Sequence, residues 1–244
     1  MAKLVQKSGY IKSGKASGYM RYIATREGVE KLAGNGAVTK GQRELIQKLL
    51  TDFPDAVELF EYEDYCKTPT LGTASAFISM ALDANFHEMD SESGYMQYIA
   101  TRPRVQKRGA HGLFSSATAV DLTSAMSELE SHEGNVWTII YSLRREDAAR
   151  LEYNNADAWR ALLMENAPTL AKSMKISLDN FHWCAAFHDE GHHPHIHMMV
   201  WSDDPKEGFL TKDGIAAMRS KLTNAIFRDE MQQIYERKDV AYSD

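Results

Sequence analysis

Two apolar segments joined by a six-residue connection constrain the fold most, because together they predict a β-hairpin. Residues 181–188 (FHWCAAFH) and 195–202 (HIHMMVWS) are runs of strand length, and the connection 189–194 (DEGHHP) holds Gly and Pro, which are typical of turns. Side chains alternate between the two faces of a strand, so Ile196, Met198 and Val200 are expected to enter the core. This part of the chain is therefore predicted to form an antiparallel sheet.

The hairpin also carries a concentration of histidine. Five of the nine histidines fall within ten residues; they are His188, His192, His193, His195 and His197. His195 and His197 share one strand face, and closure of the hairpin places His188 opposite His195 and the small Ala186 opposite His197. Three converging imidazoles predict a divalent metal with an open coordination position. The alternative is a polar turn with surface histidines, which the flanking apolar strand disfavours.

Metal-bound imidazoles need acceptors for their second ring nitrogens. The candidates for this role in and beside the turn are Asp189, Glu190 and His193.

The remaining hydrophobic patterns predict an α+β fold with an antiparallel sheet flanked by helices. Strands are predicted over 4–10 and 136–143, and helices over 19–26, 41–50, 73–85 and 211–236, with one or two further helices over 146–166. Pro168 is expected to end the helical segment 146–166, and residues 111–115 are expected to form a loop. No linker rich in Pro, Gly or Ser divides the sequence, so residues 1–244 are predicted to be one domain.

A twelve-residue motif occurs twice. Residues 18–29 are GYMRYIATREGV and residues 94–105 are GYMQYIATRPRV, with nine identical positions. On a helix, Tyr19, Tyr22 and Arg26 would share a face, and Tyr98 holds the place of Tyr22 in the second copy. Such tyrosines most often pack in a core. The functional alternative is a nucleophile, which a phenol with a pKa of about 10 becomes only beside a cation or base.

The charge is distributed unevenly along the chain. The net charge is −6, which by itself disfavours a general nucleic-acid binder. Residues 1–48 hold ten basic and three acidic side chains, whereas residues 49–93 hold one and ten, and residues 94–112 hold four and none. An acidic insert thus separates two basic segments, each with one copy of the motif. We expect the basic segments to face a polyanion and the acid to lie remote from it.

The cysteines and the apolar runs of the sequence exclude several classes of protein. Cys66 and Cys184 are the two cysteines and have no CxxC spacing, which excludes a disulfide framework and a cysteine zinc knuckle. No apolar run approaches the length that crosses a bilayer, and residues 1–7 lack the apolar stretch of a secretion signal. A cytoplasmic protein without membrane insertion is expected.

These motifs resemble a known group of enzymes. His195-Ile196-His197 is similar to the HUH signature of the HUH endonucleases. Within that group, YIATREGV at 22–29 and HDEGHHPHIHMMV at 188–200 resemble the MobP/MobL-type relaxases of conjugative and mobilisable elements. The resemblance extends from about residue 3 to about residue 235.

The resemblance implies a five-stranded ferredoxin-like or RRM-like core and a nickase that acts at the transfer origin of a plasmid or integrative element. Such an enzyme cuts a single-stranded site beside a hairpin and stays joined to the 5′ phosphate through a tyrosine. Tyr22 matches the nucleophile, with Tyr98 as the alternative, and His188, His195 and His197 match the ligands of Mg²⁺ or Mn²⁺. Accessory relaxosome and coupling proteins are the implied partners. Tyr19 and Arg26 are further catalytic candidates, and Arg26 could steady the phosphate, as Arg102 could in the second copy. Our candidates for DNA contact are Arg102, Arg104, Lys12, Lys15, Arg21 and Lys107.

Three other functions remain open. A rolling-circle replication initiator or single-strand transposase shares the HUH chemistry but usually carries its tyrosine after the histidines, where Tyr235 is the candidate. A three-histidine hydrolase or dioxygenase would not act on DNA. An accessory DNA-binding module with a vestigial site would bind DNA without cutting it.

Overall fold

The computed structural model describes residues 3–10, 35–85, 96, 99–100, 105–106, 110–117, 119–189 and 193–228. Within them lie five strands: β1 (Val5–Tyr10), β2 (Leu113–Ser115), β3 (Trp137–Ser142), β4 (Phe181–His188) and β5 (His195–Ser202). The helices are α1 (Lys40–Asp52), α2 (Phe60–Lys67), α3 (Leu71–Ala84), α4 (Leu122–Glu130), α5 (Arg145–Arg150), α6 (Ala156–Ser173) and α7 (Lys212–Ile226). Short 3₁₀ turns cover Pro54–Glu58 and Leu178–Asn180.

The five strands form one antiparallel sheet in the order β1-β3-β5-β4-β2. The predicted α+β class and the hairpin of β4 and β5 are therefore confirmed. The register is also the predicted one, because His188 pairs with His195 and Ala186 with His197. The central strand β5 pairs with β3 on its other side, where Ile140 lies opposite His197.

The two faces of the sheet have different cores. Ile196, Met198 and Val200 point to the face that packs on α6 and α7, where Trp159 and Leu222 are completely buried. The other face is covered in two places. Helix α4 and the helical residues Met96, Ile99 and Ala100 pack over β4, while α1, α2 and α3 form a third cluster that reaches Ile140 of β3. The histidine face therefore lies between two apolar clusters.

Residues 111–115 depart from the predicted loop, because residues 113–115 are the edge strand β2. Its three residues pair with Ala186, Ala185 and Cys184 of β4. A segment this short shows no alternation in sequence, so its pairing with a distant strand is what makes it extended.

Helix α6 also departs from the prediction, since it continues through Pro168 to Ser173. Proline inside a helix removes one hydrogen bond and costs about 3 kcal/mol. The carbonyl that loses its donor belongs to Met164, which is 43% exposed, so water can reach that turn. The next turn buries Leu170 and Ala171 in the core, and this burial offsets the cost.

Most of both motif copies falls outside the described residues, including the predicted helix at 19–26. Among the residues that the structure describes, no helix is long and apolar enough to cross a membrane.

Candidate metal centre

Three histidines converge on one face of the central hairpin. His188 is the last residue of β4, and His195 and His197 lie at the start of β5. Each offers one ring nitrogen, and the three nitrogens lie within 4.8 Å of one another. The ring centroids are 4.6 to 5.2 Å apart, and none of the three residues is more than 1% exposed. The alternation of the strands produces this convergence, as the sequence predicted.

Backbone carbonyls fix the tautomers of two of these rings. His188 Nε2 lies 2.9 Å from the carbonyl oxygen of Ile99, and His195 Nδ1 lies 3.0 Å from that of His193. A carbonyl only accepts, so the ring nitrogen donates in each contact. The lone pairs of the neutral rings are then on Nδ1 of His188 and Nε2 of His195.

This donor set fits a divalent metal. Buried neutral imidazoles with oriented second nitrogens are the ligands that transition metals take in proteins, and three of them leave coordination positions open. Histidines that had to be charged would repel one another at these distances. Nitrogen donors suit a first-row transition ion better than Mg²⁺, which prefers oxygen.

The turn before β5 is held by α2. His193 Nε2 donates to Asp64 Oδ2 across 2.8 Å, and its ring stacks on Phe60 with centroids 5.2 Å apart. His193 itself is only 5% exposed. The acidic segment 49–93 thus contacts the histidine turn directly, through Asp64.

Arg144, the N-cap residue of α5, binds the same carboxylate. Arg144 pairs with Asp64 and Glu63, each at 3.2 Å, and its guanidinium lies 4.7 Å from the centroid of Phe60. Burial alone would raise the pKa of Asp64, but hydrogen bonds and charge from His193 and Arg144 outweigh it and hold that pKa below its ordinary value. Asp64 is therefore an ionised acceptor at neutral pH.

The sequence did not predict the roles of Asp64 and Arg144. Asp64 lies 129 positions from its partner His193, and no spacing rule connects residues so far apart. Of the three candidates for orienting the ligands, His193 contributes its backbone carbonyl, Asp189 pairs with Arg145 at 2.6 Å, and Glu190 lies outside the described residues.

The second motif copy reaches the centre through Ile99, whose carbonyl binds His188. Met96, Ile99 and Ala100 are completely buried in the cluster that contains Ala186. The tyrosines Tyr19, Tyr22 and Tyr98, Arg26, and the proposed DNA contacts Lys12, Lys15, Arg21, Arg102, Arg104 and Lys107 lie outside the described residues.

A second group of potential ligands lies at the far end of the same hairpin. Glu128, His182 and Asp203 bring one donor atom each within 4.8 Å. His182 Nε2 already lies 2.8 Å from Asp203 Oδ2, and His182 and Asp203 are 39% and 60% exposed in their side chains. This exposed group differs from the buried histidine cluster in charge and in access to water.

Comparison with known proteins identifies one family. The family model described as MobL relaxases matches residues 1–243. No curated protein and no solved structure matches the chain significantly.

Proposed function

Because the chain belongs to the MobL relaxase family, we propose that it nicks one DNA strand at a transfer origin by metal-dependent transesterification and stays joined to the 5′ phosphate through a tyrosine. The observation that supports this most is the buried cluster of His188, His195 and His197, with two of its tautomers set by backbone carbonyls. The element served would be a plasmid or an integrative element undergoing mobilisation.

The three histidines would hold the metal through Nδ1 of His188, Nε2 of His195 and one nitrogen of His197. When bound, a divalent ion supplies Lewis-acid polarisation of the scissile phosphate and stabilises the leaving oxygen. The ion would be Mg²⁺ or Mn²⁺, and we favour Mn²⁺ because Mg²⁺ takes oxygen ligands in preference to nitrogen.

The tyrosine attacks phosphorus in line with the leaving 3′ oxygen. A bond from phosphorus to the phenolic oxygen forms and the bond to the 3′ oxygen breaks. The phenol gives up its proton, and the departing 3′ hydroxyl takes one up. The phosphotyrosine ester conserves the energy of the broken phosphodiester bond, so a free 3′ hydroxyl can attack it and reverse the nick.

Tyr22 remains our first candidate for the nucleophile and Tyr98 the second. Tyr22 holds the position that the family motif assigns. Tyr98 precedes Ile99 in the sequence, and the Ile99 carbonyl binds His188, which is why we retain it. The phosphate and the flanking DNA backbone would be bound by the basic residues of the two motif segments, namely Arg26, Arg102, Lys12, Lys15, Arg21, Arg104 and Lys107.

The substrate would be a single-stranded nick site beside a hairpin, and accessory relaxosome and coupling proteins would act with the enzyme in the cytoplasm. The domain would span residues 1–244.

The test uses a labelled oligonucleotide that carries the nick site of the element encoding this protein. Wild type should form a covalent adduct in Mn²⁺, and peptide mass spectrometry should place it on Tyr22. Tyr22→Phe should abolish the adduct and Tyr98→Phe should retain it. The reverse result would move the nucleophile to Tyr98, and an adduct on Tyr235 would favour a replication initiator or transposase.

The metal role is tested separately with His195→Ala and His197→Ala. Both should lose Mn²⁺ binding and adduct formation. His132→Ala is the control, because it removes a histidine that belongs to neither group of potential ligands among the described residues. Undiminished adduct yield in His195→Ala would rule out the proposed metal role, and binding of DNA without any cleavage would favour an accessory module.

A further inference from the structure

Helix α2 holds the turn from which the metal-facing strand starts. The contact runs from Asp64 Oδ2 to His193 Nε2 at 2.8 Å, and continues from the His193 carbonyl to His195 Nδ1 at 3.0 Å. One residue, His193, is thus bound to α2 through its side chain and to a metal-facing ring through its backbone.

We propose that Asp64 is a positioning residue of the metal centre, which sets the orientation and tautomer of His195 by immobilising His193. This inference rests on the proposed function of the histidine cluster as a metal site.

The geometry leaves His193 little freedom. Its ring stacks on Phe60 at an interplanar angle of 27°, and the side chain is 5% exposed. The backbone beside His193 is also held, because the Pro194 carbonyl accepts a hydrogen bond from the backbone N–H of Leu143 at 3.2 Å. Because α2 holds the ring of His193 and Leu143, the residue after β3, holds the next peptide, the His193 carbonyl has a fixed direction.

A fixed carbonyl matters because His195 can present Nε2 to a metal only while Nδ1 keeps its proton. Loss of the carbonyl contact would let the ring rotate or change tautomer, and each change removes one of three donors. Removing a group that is hydrogen-bonded directly to a metal-ligating histidine, as the His193 carbonyl is to His195, typically changes metal affinity by about 10–100-fold.

Arg144 holds the Asp64 carboxylate in place. It pairs with Asp64 and with the adjacent Glu63, so the carboxylate that binds His193 is also held from its other side. Glu63 shares the Arg144 contact and lies on the same helix, but His193 bonds to Asp64. The chain thus contains its own control position.

The experiment compares Asp64→Ala, Asp64→Asn and Glu63→Gln in the full chain. Asp64→Ala should raise the Mn²⁺ dissociation constant by calorimetry up to about 10-fold, the lower end of the range for direct partners of the ligands, because Asp64 acts through His193. Asp64→Asn should restore most of the affinity, because its amide oxygen still accepts from His193 Nε2. Glu63→Gln should stay close to wild type. Urea unfolding of each variant shows whether the fold has been kept.

A second measurement does not need metal or activity. Long-range ¹⁵N–¹H spectra of the metal-free protein report which nitrogen of His195 carries the proton. Wild type and Asp64→Asn should show one Nδ1–H tautomer, whereas Asp64→Ala should show a mixture.

Two results would overturn the inference: unchanged Mn²⁺ affinity and tautomer in Asp64→Ala, or an equal loss in Glu63→Gln, which would mean only that α2 had loosened. Failure of the proposed function looks different. In that case, wild type and His195→Ala would bind Mn²⁺ alike, and the tautomer spectra would still decide whether Asp64 positions His195.

Discussion

Substituting Ala186 by valine should weaken metal binding, because the small side chain of Ala186 leaves room for the ring of His197 on the opposite strand. Ala186 is completely buried and lies directly opposite His197 in the ladder. The rings of His188 and His197 are already only 4.6 Å apart. Two added methyl groups would push His197 away from its partners.

The magnitude follows from the packing. Extra methyl groups in a filled core cost about 1–3 kcal/mol of folding stability, which lowers Tm by about 2–4 °C per kcal/mol in a chain of this size. Displacing one of three ligands should cost at least as much affinity as losing an outer contact, about 10–100-fold. This corresponds to about 1.4–2.8 kcal/mol of binding free energy.

Ala185→Val is the matched control. Ala185 is also completely buried, but it faces the cluster on α6 and α7 and pairs with Met198. Both variants should lose similar stability in urea unfolding, and only Ala186→Val should lose Mn²⁺ affinity in calorimetry. Equal affinity losses in the two variants, or none in Ala186→Val, would refute the assignment of the metal to this face.

Three further outcomes concern folding and reactivity. Trp159→Ala should cost about 3–5 kcal/mol in urea unfolding, because Trp159 is completely buried; a loss below 1 kcal/mol would contradict its place in the core. A hydrogen bond from Lys67 leads the causes that lower the pKa of Glu63 to about 2, so its contribution is complete above the ordinary pKa of 4.5 and is lost as pH falls toward 2. Glu63→Gln should therefore flatten the acid limb of the stability profile, by a small amount because the pair is exposed. Burial, the main cause, raises the pKa of Cys184 to about 12, while Cys66 is exposed; a thiol reagent at pH 8 should modify one cysteine in the native protein and two after denaturation.

The hairpin was predictable because its information is local. Two runs of strand length, a turn with Gly and Pro, and a side-chain period of two are enough to place His188, His195 and His197 on one face. The structure reproduces both the strand limits and the pairing of His188 with His195. The helix through Pro168 and the edge strand at 113–115 were predicted wrongly, because burial and pairing with distant segments override local preference there.

The sequence by itself determined the α+β class, the register that brings the three histidines together and, through its motifs, the family to which the chain belongs. Only the tertiary structure decided what surrounds the three histidines. The carbonyl that orients His188 belongs to Ile99, which lies 89 positions away in the chain. The carboxylate that holds His193 belongs to Asp64, which lies 129 positions away. Such contacts depend on how helices dock on the sheet, and docking is set by the summed burial of many apolar side chains rather than by any local pattern.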